Sequence, residues 1–149
     1  MTEHTEQKML FEWTKMFSGR YPELELLFAV PNGGYRAKTT AVNLKQEGVK
    51  AGVPDIWLPV PRGLYCGLVI EMKYGRNTLE VSQKSWMTAL VDLGWSCHVC
   101  YCFEAARMVL LWYLTYKSTM KVPPANQLYR WMTEEDFTLE PKPEPMYRR

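Results

Sequence analysis

Two short stretches of the sequence combine residue types that bind metal ions and act on phosphates. Val53-Pro54-Asp55 opens a run that reads as a β-strand. The second stretch, Glu71-Met72-Lys73, ends the apolar run 68–70 with an acid and a base two residues apart. Because residues i and i+2 of a strand point to the same face of a sheet, Glu71 and Lys73 are predicted to project together.

The strands that carry these stretches are predicted to pair as an antiparallel hairpin. A turn centred near Gly63 would place Asp55 opposite Glu71, with Cβ atoms roughly 4.5–5.5 Å apart, although a bulge would shift the pairing. Two carboxylates at that separation repel each other unless a cation lies between them, and Mg²⁺ commonly binds one or two carboxylates together with phosphate oxygens. The pattern predicts a divalent ion that polarises a phosphate and activates water, with Lys73 stabilising charge.

The whole series of motifs resembles the PD-(D/E)xK nuclease superfamily, and more narrowly its VRR-NUC branch of virus-type replication-repair nucleases. Taken alone, Pro-Asp is usually a turn signal and Glu-x-Lys at a strand end is usually a solvated surface pair. The resemblance therefore rests on the order of the motifs over about residues 3–115. The motifs are Glu3 with Gln7, Pro31-Asn32-Gly33-Gly34, Gly52-Val53-Pro54-Asp55, Ile70-Glu71-Met72-Lys73 and Gln83.

The resemblance implies a catalytic metal site at the matching positions. Asp55 and Glu71 would be metal ligands, and the backbone carbonyl of Met72 would be a further ligand. Lys73 would be the catalytic lysine. The implied cofactor is Mg²⁺, for which Mn²⁺ would substitute.

Two helices contribute further residues to the implied site. A glutamate of the first helix completes it in the family, and both Glu3 and Glu6 lie on one helical face, so the sequence leaves this choice open. Both could equally be solvated residues at a helix start, which the helix dipole favours. Gln83 would be a catalytic-site residue that orients Lys73 or contacts the nucleic-acid backbone, and the alternative is an ordinary polar first-turn residue.

A basic stretch around the motifs favours a nucleic-acid substrate. From residue 33 to residue 77, seven basic side chains stand against three acidic ones, and the whole chain has a formal net charge of +2. Phosphate contacts dominate nucleic-acid affinity, although a lysine-rich helix can also be a plain solvated face and the glycines a plain tight turn. The candidate nucleic-acid-binding residues are Asn32, Gly33, Gly34, Arg36, Lys38, Lys45, Lys50 and Arg76.

The resemblance implies DNA as the substrate. Stand-alone members of the family resemble Holliday-junction resolvases, which are homodimeric, structure-selective endonucleases of DNA replication, repair and recombination. Branched or junction DNA is therefore the expected partner, and the sequence shows no base-reading motif. The alternative is a non-catalytic nucleic-acid-binding module on the same fold, but such a module would have no need of Asp55 and Glu71 beside a phosphate.

A cysteine-rich segment raises a third possibility, a zinc or redox module. Along a strand, Cys97 points away from the face shared by His98, Cys100 and Cys102, so four zinc ligands do not converge and no zinc is expected. The sequence shows no export signal and no apolar run of membrane-spanning length. We therefore expect no membrane partner and a reducing cytoplasmic location, as for a viral or bacterial protein acting in the host cytoplasm.

The hydrophobic pattern predicts the elements that position these residues. The chain has 149 residues, of which 47% are hydrophobic and 23% charged, which excludes a disordered or fibrous protein. The order of elements predicts an α/β fold, and the resemblance narrows it to a restriction-endonuclease-like (PD-(D/E)xK) core with a central mixed β-sheet flanked by helices. The nuclease domain is predicted over 1–116 and a partly extended C-terminal appendage over 117–149. The predicted helices span 3–18, 36–47, 82–93 (capped by Ser82), 103–116 and 126–137, and the predicted strands span 24–30, 55–60, 67–73 and 95–102.

Overall fold

The structure of the chain is a computed structural model that describes residues 1–31, 38–115 and 128–131. Most of its elements lie within a few residues of the predicted ones. In chain order they are α1 (Glu3–Phe17), a 3₁₀ helix (Pro22–Leu26), β1 (Phe28–Ala29), α2 (Lys38–Gln46), β2 (Ile56–Leu58), β3 (Leu68–Met72), α3 (Val81–Asp92), β4 (Ser96–Cys100), α4 (Phe103–Leu114) and β5 (Leu128–Trp131).

The strands form one mixed sheet in the order β1-β2-β3-β4-β5. β2 runs antiparallel to both β1 and β3, whereas β4 runs parallel to β3 and to β5. Helix α3 makes the crossover between the parallel strands β3 and β4, as parallel pairing requires. The predicted α/β fold class, with a mixed sheet flanked by helices, is confirmed.

Helices cover both faces of this sheet. On one face, α1 and α4 pack on the strands through fully buried residues such as Leu10, Ile70 and Leu110. On the other face, α3 packs over Val69 and Val99. All five residues of β3 are buried, which is typical of a strand covered on both faces. Residues two apart share a face, so the odd-numbered residues of β3 face α3.

The predicted register between β2 and β3 is confirmed. Ile56 pairs with Ile70 and Leu58 with Leu68, and continuing this register by one residue places Asp55 opposite Glu71. The connection is longer than a tight hairpin turn, with Gly63 in the left-handed region at φ 54°. A glycine takes this backbone conformation without the steric cost that a Cβ atom imposes.

Two predicted elements are wrong. In the strand predicted over 24–30, residues 24–26 belong to the 3₁₀ helix, because Pro22 at its first turn favours a helical start, and only Phe28–Ala29 form a strand. The helix predicted over 126–137 is wrong at residues 128–131, which form β5 and pair with β4. The tail thus adds a strand to the sheet, and the domain limit at 116/117 stays a prediction. In the described part of the chain, no helix has the length and apolar character needed to cross a bilayer.

Candidate active site

Asp55 and Glu71 lie side by side on the face of the sheet that α3 covers. The backbone N–H of Asp55 donates to Glu71 Oε2 at 3.2 Å, and the backbone N–H of Met72 donates to Asp55 Oδ2 at 2.9 Å. Each carboxylate therefore accepts a hydrogen bond from the backbone of the other strand. These reciprocal bonds tie the residue that precedes β2 to the end of β3 and hold the two acids together.

Burial makes this pair of carboxylates unfavourable to ionise. Glu71 is only 2% exposed, and burial, followed by the negative charge of Asp55, raises its pKa to about 9. Burial also raises the pKa of Asp55, although the hydrogen bond from Met72 opposes the shift. A pair that retains a proton in this way needs added positive charge before both members can ionise at neutral pH.

Lys73 places a positive charge next to the pair. It is 6% exposed, and its Nζ lies 3.8 Å from Glu71 Oε1. Its backbone N–H donates to the carbonyl of Cys100 at 2.9 Å, which fixes the end of β3 against β4. Glu71 and Lys73 therefore project from the same face, as their spacing predicts.

Helix α3 brings Gln83 into contact with Glu71. The Gln83 Nε2 donates to Glu71 Oε1 at 2.7 Å, while its Oε1 accepts the backbone N–H of Glu80 at 2.9 Å. The second bond belongs to a capping box and fixes the amide so that its NH₂ faces Glu71. Gln83 thus contacts Glu71, while its predicted roles, orienting Lys73 or contacting the nucleic-acid backbone, stay predictions. The helix is capped by Glu80, so the prediction of Ser82 as the cap is wrong.

The two glutamates of α1 have different surroundings. Glu3 lines a cleft above the pair, and its Oε1 accepts a hydrogen bond from Asn77 Nδ2 at 3.2 Å. Glu6 is 5% exposed, and its Oε2 accepts the backbone N–H of Phe103, the first residue of α4, at 2.6 Å. Glu6 therefore satisfies one of the free backbone N–H groups at the start of α4 from a neighbouring helix.

The cleft has a volume of about 600 Å³ and polar walls. Asp55, Glu71 and Lys73 line it together with Glu3, residues 51–53 and the start of α3. Within the described ranges, no three His, Cys, Asp or Glu side chains converge closely enough to hold a metal ion. The available donor set is therefore a carboxylate pair with a third acid elsewhere in the cleft, and such oxygen ligands suit a hard cation.

Two tryptophans that no sequence pattern singled out hold the loop before Asp55. Trp57 Nε1 donates to the carbonyl of Pro54 at 2.9 Å, and Trp86 Nε1 donates to the carbonyl of Ala51 at 3.1 Å. Both rings also pack against the core between α3 and the sheet. In the sequence, an aromatic residue at strand or helix spacing indicates only core packing, so no pattern predicted these hydrogen bonds.

The predicted nucleic-acid-binding residues fall into two groups. Four of them lie outside the described residues: Asn32, Gly33, Gly34 and Arg36. Lys38 and Lys45 are exposed on α2, a helix in which no residue is buried. Lys50 is exposed between α2 and the cleft, and Arg76 is exposed in the loop that follows Lys73.

The cysteine-rich strand β4 belongs to the core, and none of its residues lines the cleft. Cys97 packs on the α3 side of the sheet and Cys100 on the side of α1 and α4, and burial raises the pKa of both thiols. His98 bonds to Ser96 Oγ at 2.6 Å, and burial lowers its pKa to about 3. These groups are therefore uncharged at physiological pH, and the sheet separates Cys97 from Cys100.

Comparisons with known proteins agree with this geometry. The family model of the VRR-NUC domain matches residues 2–104 of the chain. A solved structure named "VRR_NUC domain protein" is 30% identical to the chain, with a TM-score of 0.66, and the match covers 76% of this chain and 88% of that one. No curated protein matches the chain. All the residues that line the cleft fall within the range that the domain family matches.

Proposed function

Because the chain belongs to the VRR-NUC family of nucleases, we propose that it is a metal-dependent endonuclease that hydrolyses phosphodiester bonds in DNA. The observation that carries this proposal is the buried pair of Asp55 and Glu71, with Lys73 beside it in one cleft. A structural ion pair needs one acid and one base. The second buried acid is explained if Asp55 and Glu71 bind a divalent cation together, with Lys73 next to it.

The donor chemistry fits Mg²⁺, with Mn²⁺ as a substitute. Asp55 and Glu71 would be the main ligands, the carbonyl of Met72 a further one, and Glu3 the acid that α1 contributes. The raised pKa of both paired acids supports this assignment, since a divalent charge relieves the repulsion that raises them. When bound, the cation supplies polarisation of a phosphate oxygen and lowers the pKa of water. We assign Glu6 to capping α4, in accordance with its bond to Phe103.

The chain's own side chains have separate roles around the phosphate. Lys73 stabilises the negative charge that develops on the phosphate in the transition state and orients the attacking water. Gln83 holds the carboxylate of Glu71 in one orientation through the bond at 2.7 Å. Because the capping box fixes the Gln83 amide, this orientation is set before the substrate arrives.

We propose that the substrate is branched or junction DNA bound through its backbone. Lys38 and Lys45 on the exposed helix α2, with Lys50 and Arg76, would contact phosphates near the cleft. The resemblance to Holliday-junction resolvases of DNA repair supports a homodimer, in which two sites related by a twofold axis cut paired strands. Sedimentation of the chain as a monomer at micromolar concentration would contradict the dimer.

A cleavage assay tests the proposed function. We expect the chain to cut a four-way DNA junction in Mg²⁺ and not in EDTA, and a linear duplex of the same sequence shows whether branched structure is preferred. Asp55→Ala and Lys73→Ala should abolish cutting, whereas Glu12→Ala and Lys15→Ala, which alter an exposed acid and an exposed base of α1, should not. Binding without metal-dependent cutting would contradict the proposal and favour the non-catalytic module on the same fold.

A further inference from the structure

The four-residue loop 51–54 leads directly into Asp55 and is anchored at both ends by indole groups. At its first residue, the carbonyl of Ala51 accepts the N–H of Trp86 from α3 at 3.1 Å. At its last residue, the carbonyl of Pro54 accepts the N–H of Trp57 from β2 at 2.9 Å. Neither tryptophan lines the cleft itself, whereas residues 51–53 of this loop do.

Gly52 limits the position of the loop from the other side. Its φ is +83°, and a Cβ atom at this position would lie 2.5 Å from the backbone carbon of Ser82 in α3. The loop therefore runs in close contact with the first turn of α3, the turn that carries Gln83. The close approach at Gly52 leaves little room for the loop to move toward α3, and movement away from α3 would break the bond from Trp86.

Asp55 needs such support because it lies just outside the regular strand. The pairing of β2 with β3 begins at Ile56, and the backbone of Asp55 is held by its N–H bond to Glu71 and by the bond from Val30 N–H to its carbonyl at 2.8 Å. The indole bonds to the loop before Asp55 add to these two backbone contacts.

We propose that Trp57 and Trp86 are positioning residues for the metal site, and that their indole N–H groups hold loop 51–54 so that Asp55 stays against Glu71. This role presupposes the divalent-cation site of the proposed function. Removal of either indole N–H would let the loop move, and Asp55 would move with it. Part of the binding free energy of the cation would then be spent on returning Asp55 to its position beside Glu71. Metal affinity therefore falls although neither tryptophan touches the ion.

The decisive variants remove an N–H and keep the ring. Replacement of Trp57 or Trp86 in the full chain by 3-benzothienylalanine substitutes sulfur for N–H at nearly constant shape, so packing is retained. By calorimetry, we expect Mn²⁺ to bind each variant about three- to tenfold more weakly, the loss that follows from one hydrogen bond. The same replacement at Trp95, which packs edge-on against Trp57 at 5.1 Å, is the matched control and should leave the affinity unchanged.

A spectroscopic readout separates positioning from general stability. On titration with Mg²⁺, the indole N–H resonances of Trp57 and Trp86 should shift in ¹⁵N-labelled protein, while that of Trp13, on the opposite face of the sheet, should not. Equal Mn²⁺ affinity in wild type and in the variants at Trp57 and Trp86 would overturn the inference, as would an equal loss at Trp95. A wild-type chain that binds no Mn²⁺ would instead overturn the metal site on which the inference depends.

Discussion

At the scale of single residues, the pair of Asp55 and Glu71 is unfavourable for the isolated fold. Two acids share a buried site in which each accepts a backbone hydrogen bond from the other strand, and burial raises the pKa of both. A hydrophobic pair would fill this position at lower free energy. The structure therefore tolerates a local cost where we propose that a cation binds.

The raised pKa of Glu71 predicts how the stability of the metal-free chain depends on pH. An unperturbed glutamate has a pKa of 4.5, whereas that of Glu71 is about 9 in the fold, so between these values the folded state holds a proton that the unfolded state has lost. The free energy of unfolding should fall as the pH rises through this range, by an amount on the order of several kcal/mol. The raised pKa of Asp55 acts in the same direction.

Thermal unfolding in EDTA measures this effect most cleanly above about pH 6.5. Burial lowers the pKa of His98 to about 3, so the loss of stability that His98 causes is confined to lower pH. Mg²⁺ should restore the unfolding temperature at high pH, and Glu71→Gln should remove much of both the pH dependence and the effect of Mg²⁺. A pH-independent unfolding temperature in the metal-free wild type would contradict the buried acid pair.

Replacement of Glu3 is predicted to affect cleavage, whereas replacement of Glu6 is predicted to affect the stability of the fold. Glu3→Gln should weaken metal-dependent cleavage and leave the unfolding temperature nearly unchanged, because Glu3 lies in the cleft. Glu6→Ala should lower the free energy of unfolding by about 1–3 kcal/mol, since it leaves the N–H of Phe103 without its cap. Urea unfolding and cleavage rates, measured on both variants, distinguish them; the reverse pattern would show that Glu6 serves the site.

The sequence predicted the meeting of Asp55, Glu71 and Lys73 because it depends on local rules, namely the period of two and the register of one hairpin. It could not choose between Glu3 and Glu6. That choice depends on which turn of α1 meets α4, an interaction between residues about one hundred positions apart. The partner of Gln83 was missed for the same reason, since the position of α3 over β3 decides it.

At the scale of elements, α2 is unusual because it buries none of its residues. A nine-residue helix without a buried face is marginal in water. Lys38 and Lys45 are exposed on this helix about two turns apart, so they lie on the same helical face. These features fit a helix that contacts a polyanion, in agreement with the proposed role in binding DNA phosphates.

Salt dependence tests this role of α2. DNA binding is measured in EDTA, where no cutting is expected. The double variant Lys38→Gln/Lys45→Gln should reduce the magnitude of the slope of log affinity against log salt concentration by about 2. Each phosphate that a lysine neutralises contributes roughly 0.9 to that slope. The matched control is Lys8→Gln with Lys15→Gln, which removes two exposed lysines at the same spacing from α1. An unchanged slope in the α2 variant, or an equal change in the control, would contradict the assignment.

Two elements that the sequence did not predict show where local patterns stop being sufficient. The apolar run 24–30 resembles a strand, but the conformation of Pro22 begins a 3₁₀ helix there. Residues 128–131 are extended because they pair with the edge of β4. That strand lies about thirty residues earlier in the chain, so the local sequence around residue 128 could not predict the pairing.

At the scale of the whole molecule, β5 covers β4, whose five residues are all buried. A chain ending at residue 116 would expose that edge and its unpaired backbone groups. We expect it to lose about 2–4 kcal/mol in free energy of unfolding, or to aggregate, relative to a chain ending at residue 131. Urea unfolding of the two truncated chains tests this; equal stability would show that residues 117–131 are a separable appendage.

The three-layer arrangement explains how a cleft forms over a sheet that is otherwise buried. Helix α3 covers the face that carries Asp55 and Glu71, but its first turn lies beside the end of β3, so Glu71 and Lys73 line the cleft together with Gln83. Glu3 reaches the same cleft from α1, so the first helix, the loop 51–53, the end of β3 and the start of α3 contribute to one site.

Locating the cation tests the central claim most directly. Crystals of the full chain would be soaked in Mn²⁺ and measured at the manganese absorption edge. We expect one anomalous peak within coordination distance of the carboxylates of Asp55 and Glu71, and no such peak in crystals of Glu71→Gln. A wild-type crystal with no peak at this pair, or with its manganese bound elsewhere, would contradict the metal site and the nuclease function built on it.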